Sequence, residues 1–495
     1  MQGTQGDFFA NSPSKNPPTR QVKIRQLTNQ KSANSPSKNP PTRQIVVKRF
    51  GGTKRYSYIC GIKHIKRTTM IEQYKKRIAD WQLQDLLEAV GAVLIEGPKG
   101  CGKTTTAEHQ AQSILYMDNP EKTQQYHQLA QTNIKLLLQG DNPRLIDEWQ
   151  SAPQLWDAIR FEVDHRNSEG LFILTGSAVP ADISKIRHSG AGRFGWLTMR
   201  PMSLWESSES TGDVSLEKIF SPNYKIEGHS NLTFEDLVYV ICRGGWPGAV
   251  NKKSKKASLM LVQEYYEAIV KSDISRVDNV KRDEERTKRI MRSYARHQGT
   301  QATMTTILAD ISANETNEIS DVTLAGYLNA LRKIFVIEDS PAWNPFVRSK
   351  VAIRTSDTRY FVDPSIACAA LGLGQQDLID DLNTLGLLFE TLCIRDLRVY
   401  ADYLGGHVYH YRDKNDLECD AVIHLRNGSY GLIEIKLGGE SLIEDGAKTL
   451  KKLSATIDTK RMKPPSFLMI LTGVGDYAYT RTDGVAVVPV GSLRN

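Results

Sequence analysis

The stretch GAVLIEGPKGCGKTTTAEHQAQSIL, Gly91 to Leu115, decides the fold. A short apolar run leads into GPKGCGKT, Gly97 to Thr104, and a helix-forming stretch follows. Strand, glycine-rich loop and helix in that order are the setting in which GxxxxGK[ST] makes a P-loop. The glycines let successive backbone N–H groups curl around phosphates, and the helix N-terminus adds its dipole. Gly97, Pro98, Lys99, Gly100, Cys101, Gly102, Lys103, Thr104 and Thr105 are therefore the expected nucleotide-binding residues. Lys103 reaches the β- and γ-phosphates and Thr104 is a ligand for Mg²⁺, so ATP and Mg²⁺ are the expected cofactors. The predicted fold class is α/β, opening with a doubly wound parallel sheet of the P-loop type.

The other half of such a site needs an acidic pair at the end of a parallel strand, and PRLIDEWQ, Pro143 to Gln150, supplies it. Asp147 is the expected holder of Mg²⁺ through water. Glu148 would orient and deprotonate the attacking water, which favours hydrolysis over binding alone. The same pair would also serve to cap the next helix. LFILTGSAVP reads as a further strand ending at Thr175, Gly176 and Ser177, where the hydroxyls of Thr175 and Ser177 are placed to sense the γ-phosphate. In HSGAGRFGWLTMRPMSLWE, Arg193 is the candidate arginine finger; acting in trans, it implies a homo-oligomer. Arg200 competes for that role, and either would serve equally as a structural arginine. Arg243, in ICRGGWPGAV, sits where a lid residue would report on nucleotide, although GGWP also suits a rigid turn.

GPKGCGKTTTAE, LIDEWQ, LTGSA, HSGAGRF, MRPMSLWE and RGGWPGAV, in this order, resemble the prokaryotic AAA-type ATP-binding proteins that carry a C-terminal domain of unknown function. The resemblance runs from about Met70 to beyond Gly438. It implies an AAA-like core followed by a domain often described as nuclease-like, of the PD-(D/E)XK kind, and it supplies no substrate.

Beyond the ATPase motifs, LMLVQEYYEAIVKSDISR returns to helical periodicity. KRDEERTKRIMRSYARHQG is so mixed in charge that a solvated helix is expected. SDVTLAGYLNALRKIFVIEDSPAW predicts a helix with Asp321 as N-cap and Leu324, Leu328 and Leu331 on its apolar side, then a β-rich run, which matches a winged-helix pattern. If that helix reads DNA, Thr323, Tyr327, Asn329, Arg332 and Lys333 face the groove. Only two of the five are basic, and a structural connector is the favoured expectation.

Near the C-terminus, LNTLGLLFETLCIRDLRVYADYLGG reads as a helix carrying Glu390, and HVYHYR, CDAVIHL and YGLIEIK read as three strands. A helix followed by three strands opens the PD-(D/E)XK fold. Asp420 and Glu434 would bind one or two divalent metals, Lys436 would position or activate water, and Glu390 would orient from the helix. Glu and Lys two apart on a strand are also ordinary edge-strand charges. Register separates these readings. A two-residue turn at Asn427 and Gly428 pairs Asp420 with Ile435, on the face opposite Glu434. A three-residue loop, Arg426 to Gly428 with Gly428 left-handed, sets Asp420 directly across from Glu434, and this second geometry is predicted.

Composition bounds the rest. With 495 residues, 40% hydrophobic and 24% charged, the chain is that of a globular protein of several domains. No apolar run is long enough for a membrane span or a secretion signal, so no membrane partner and a cytoplasmic location are expected. Six scattered cysteines form no CxxC pair and are expected as reduced core fillers. The net charge of +8 is misleading, because residues 1–69 carry +13 and the remainder −5. In that segment ANSPSKNPPTRQ occurs at Ala10–Gln21 and again at Ala33–Gln44. Its composition predicts disorder; it reads as a basic nucleic-acid-binding arm or as translated repeat upstream of a start at Met70.

The expected division is 1–69, a disordered basic segment; 70–205, the ATPase core; 206–290, a helical lid or linker; 291–350, the winged-helix-like module; and 351–495, the PD-(D/E)XK-like α/β domain. The expected function is an ATP-hydrolysing AAA-type protein whose nuclease-like domain acts on DNA. The alternative is a nucleotide-gated binding or regulatory switch in which that domain is inactive.

Overall fold

A computed structural model describes residues 74–176, 188–278, 280–313, 319–345 and 356–495. The duplicated N-terminal segment, Cys60 and Ser177 lie outside the described residues. Five short strands, β1 (Ala92–Glu96), β2 (Ser113–Tyr116), β3 (Arg144–Asp147), β4 (Phe172–Gly176) and β5 (Phe194–Thr198), pair in parallel in the order β2-β3-β4-β1-β5, typical of a P-loop domain. Alternate residues of these strands point to opposite faces. Val93, Ile95, Leu145, Ile173 and Leu197 pack in one cluster with Ile78 and Leu83 of the helix Ile78–Ala89. Ala92, Leu94, Ile146, Phe172 and Leu174 pack in another with Leu155, Trp156 and Ile159 of the helix Leu155–Arg166. Helices on both faces make the sheet doubly wound, and strand ends at a reversal of strand order form a crevice suited to a ligand.

The middle of the chain is helical. The helix Glu284–Arg296 is not solvated all round, as its charges suggested: Ile290, Met291 and Tyr294 are buried along one side. Its charges occupy the remaining stripe, the ordinary amphipathic solution. The helix Asp321–Lys333 is capped by Ser320, whose Oγ accepts from the Thr323 amide at 3.2 Å; Asp321 is the first helical residue instead of the cap. The five residues expected to face DNA do not share an open surface. Tyr327 is buried with its hydroxyl accepting from the Asp283 amide, and Arg332 turns to Asp339 at 2.7 Å. The side left exposed carries Asp321, Val322, Ala325 and Asn329 and has no basic residue.

A second sheet has seven strands. Two short strands, β6 (Val214–Ser215) and β7 (Gly228–His229), precede the helical region; β7 joins β8 (Gly406–Arg412), β9 (Glu418–Leu425), β10 (Tyr430–Lys436), β11 (Phe467–Thr472), β12 (Tyr477–Thr480) and β13 (Ala486–Pro489) in the order β7-β12-β13-β11-β10-β9-β8. The helix Leu382–Tyr403 leads into the antiparallel run β8-β9-β10, and the helix Glu440–Thr456 crosses to β11, which is parallel to β10. The last strand, β14 (Leu493–Arg494), pairs with β6.

One ion-pair group ties these parts together. Arg200, two residues past β5, donates to both carboxylate oxygens of Glu338 at 2.8 and 2.6 Å and to Asp402 of the helix Leu382–Tyr403 at 2.5 Å. Burial alone would lower its proton affinity, and the two carboxylates outweigh that. Five cysteines, Cys101, Cys242, Cys368, Cys393 and Cys419, are buried and unbridged, as expected. No helix among the described residues is long and apolar enough to cross a membrane.

Candidate functional site

The loop after β1 curls as its glycines allow. Gly97, Gly100 and Gly102 have φ of +145°, +80° and +105°, a region that suits glycine. A Cβ at Gly97 would fall 2.0 Å from the Met199 carbonyl oxygen, so this position also needs glycine for space. Lys103 is buried at the start of the helix Lys103–Gln110, and its Nζ donates back to the carbonyls of Gly97 and Pro98 at 2.8 and 2.9 Å. Thr104 Oγ1 and Thr175 Oγ1 both donate to Asp147 Oδ1, at 2.8 and 2.5 Å. The first turn of the helix Lys103–Gln110 and the ends of β3 and β4 thus deliver their groups to one point.

Burial raises the Asp147 carboxyl, with the two threonine hydrogen bonds acting in the opposite sense. Burial also raises Glu148, and the neighbouring Asp147 adds to it. Glu148 stands in the left-handed region at φ 55° and accepts from Gln150 Nε2. Hard oxygen donors at Thr104 and Asp147, in a pocket that disfavours an isolated carboxylate, fit a small divalent cation such as Mg²⁺. On the other side of the loop Thr105 opens onto a cavity of about 360 Å³ with Tyr74, Arg77, His109 and Asn251; Tyr74 stacks on His109 with centroids 3.7 Å apart. Nothing periodic or motif-like in the sequence announced Tyr74 or Asn251 as part of this surface.

The three arginines separate. Arg193 starts β5 at the edge opposite the P-loop, where its carbonyl accepts from the Ala92 amide and its guanidinium pairs with Asp164 at 2.7 Å. Five strand residues at about 3.3 Å each lie between it and the loop of its own chain. Arg200 is the interdomain tie described above. Arg243 is buried, bound to Glu209 and to the Gly244 carbonyl, which orients it toward the 205–212 segment and away from the loop.

A second cluster lies on the seven-stranded sheet. β9 and β10 pair Tyr430 with His424 and Ile433 with Ala421, a register whose next pair is Asp420 with Glu434. The connection is the three-residue loop Arg426–Gly428, closed by Leu425 N to Ser429 O at 2.8 Å, with Gly428 at φ +82°. Both features are those predicted from the sequence. Lys436 Nζ sits between the carboxylates, 3.1 Å from Asp420 and 2.7 Å from Glu434, and Asp420 also accepts from the Ile435 amide at 2.7 Å. Burial and the Asp420 charge push the Glu434 carboxyl up to about 8. Burial pulls the Lys436 ammonium down, and the two carboxylates together hold it up.

The cluster opens into a cavity of about 350 Å³ also lined by Glu418, Lys448 and Lys452. Glu390 is half-buried, its carboxyl is raised chiefly by desolvation and then by Asp420, and it accepts from the Tyr360 hydroxyl. Among the described residues no group of three or more His, Cys, Asp or Glu side chains is disposed to hold a metal. Two adjoining carboxylates in a buried setting suit one divalent ion whose other ligands are water or substrate oxygens.

The sheet order and the loop define a P-loop domain of the nucleotide-binding class. Residues 90–208 match a family described as an AAA domain. Residues 234–377 and 385–493 match two domains of unknown function, DUF8612 and DUF4143. No curated protein matches the chain. Similar solved structures include a Walker-type ATPase of Pyrococcus abyssi, 16% identical over 59% of this chain and 94% of that one, TM-score 0.35. The replication initiator DnaA bound to AMPPCP and single-stranded DNA is 14% identical over 52% and 86%, TM-score 0.24. AMPPCP-bound DnaA from Aquifex aeolicus is 14% identical over the same shares, TM-score 0.21.

Proposed function

We propose that the chain binds ATP with Mg²⁺ and hydrolyses it at the P-loop. The convergence of Thr104 and Thr175 on Asp147, with Lys103 and Glu148 beside them, carries this reading. Lys103 exchanges its two carbonyl acceptors for oxygens of the β- and γ-phosphates. Glu148, whose burial makes it a better base, takes the proton of the attacking water. The water oxygen forms a bond to the γ-phosphorus, and the bond to the bridging oxygen breaks with its electron pair left on ADP. Thr104 and Asp147 would hold Mg²⁺, which when bound would supply positive charge beside the phosphates. The cavity beside Tyr74 and His109 takes the base. Phosphate release that requires Mg²⁺ and disappears in Lys103→Ala tests this; release that persists in that variant refutes it.

For the C-terminal region the reading is a PD-(D/E)XK-like domain that hydrolyses phosphodiesters, with DNA as the substrate. The register that faces Asp420 to Glu434 supports it. Asp420 and Glu434 would hold the metal, Lys436 would position the water, and Glu390 would act through Tyr360. The alternative, a nucleotide-gated switch with an inactive domain, is favoured by the Lys436 ammonium already occupying the space between the carboxylates. Mn²⁺-dependent cleavage of DNA that is lost in Asp420→Ala selects the first; DNA retained uncut in the presence of ATP selects the second. In this reading 291–350 acts as a structural connector.

A further inference from the structure

A cavity of about 620 Å³ opens in front of Glu148, between the P-loop residues Pro98 and Lys99 and the helical segment that runs from Tyr265 to Val277. Pro98, whose carbonyl accepts from the Lys103 ammonium, and Glu148 both line this cavity, so it adjoins the place where the hydrolysis reading puts the γ-phosphate and the attacking water. The segment is anchored on the loop itself. A Cβ at Gly100 would fall 2.8 Å from the Tyr265 hydroxyl, and Asp273 pairs with Lys99 at 3.4 Å. Between Lys255–Ala268 and Ile274–Arg276 the helix widens into a π-helical turn, Ile269–Asp273, a feature frequent at functional sites. Asp273 and Arg276, three apart, fall on the side that faces the cavity.

Two cations line this cavity. Lys99 is engaged by Asp273, whereas Arg276 is exposed and its guanidinium has no ion pair or hydrogen bond among the described residues. It is supplied by a later helix of the same chain, without a second copy. We propose that Arg276 is the arginine that stabilises charge on the transferred phosphoryl group, supplied in cis by the helical region. The proposal rests on ATP hydrolysis at the P-loop. As the bond to the bridging oxygen breaks, charge spreads over the γ-phosphate oxygens, and a guanidinium fork from the helical segment across the cavity is suited to pair with them.

The test measures phosphate release and ADP affinity for the full chain and for Arg276→Ala and Arg276→Lys. Arg276→Ala is expected to lose about a thousandfold in kcat while ADP affinity stays within twofold, and Arg276→Lys recovers only a small part. ADP with aluminium fluoride is expected to bind the wild type more tightly than ADP alone, and this tightening disappears in Arg276→Ala. Mixing Arg276→Ala with Glu148→Gln restores nothing if the arginine acts in cis; restored turnover overturns the cis assignment. Turnover that survives Arg276→Ala, or that collapses in Arg193→Ala instead, also overturns it. A wild type that releases no phosphate at all refutes the hydrolase reading and this one with it.

Discussion

The two candidate sites hold a lysine in opposite ways. At the P-loop, Lys103 leans on backbone carbonyls of its own loop, acceptors that a phosphate displaces without leaving any charge unpaired. On the second sheet, Lys436 is clamped between two carboxylates from two strands, so removing it or inserting a metal rebalances three charges at once. The first arrangement suits an incoming anion. The second is internally neutralised, and whether it acts as a metal site depends on an exchange of a lysine contact for a cation.

Replacing the lysine at each site should widen the contrast. Lys103→Ala is expected to reduce ATP turnover by at least about a thousandfold, since Lys103 is the cation held at the Gly97 and Pro98 carbonyls that the phosphates displace, as a phosphate-release assay would show. Glu148→Gln removes the base and leaves the phosphate cradle, so turnover should fall about a hundredfold while equilibrium binding of a fluorescent ATP analogue is retained. If binding is lost as well, Glu148 is part of the cradle and the division of labour fails.

The second site should respond to register, which the first does not feel. Deleting Asn427 shortens the loop to two residues and turns Asp420 to the face opposite Glu434. Mn²⁺ affinity, followed by calorimetry, is expected to fall about tenfold or more with ATP turnover unchanged. Unchanged Mn²⁺ affinity would show that these carboxylates do not hold the ion.

The mildest expected effect is on stability against pH, which follows the proton of a single carboxyl. Glu434 is raised in the folded protein from its ordinary 4.5 to about 8. A raised carboxyl binds its proton more tightly when folded, so its contribution is full below about 4.5 and is lost as pH rises to about 8. The metal-free protein should therefore melt at lower temperature at pH 8 than at pH 6, and Glu434→Gln should flatten that slope. Added Mn²⁺ should stabilise more at pH 8 than at pH 6, since it competes with the same proton.

What was legible in the sequence shares one property. GPKGCGKT, the Asp147–Glu148 pair at a strand end and the Arg426–Gly428 loop are set by contiguous residues, through glycine backbone freedom, a strand terminus and a turn length. Those local constraints are the same in any surroundings, which is why even the facing of Asp420 and Glu434 followed from counting loop residues. Local signals misled where packing made the choice. The charges of Glu284–Arg296 hid a buried stripe, and Ser320 took the cap from Asp321.

Of the rest, only tertiary structure decided. Arg193, Arg200, Arg243 and Arg276 carry the same side chain, and sequence position ranked Arg193 first. Their partners, Asp164, Glu338 with Asp402, Glu209, and for Arg276 a cavity shared with Glu148, come from segments as much as 202 residues away. An arginine's role is fixed by which carboxylate or phosphate it meets in a desolvated place, and that meeting is made by long-range packing, which no local pattern encodes.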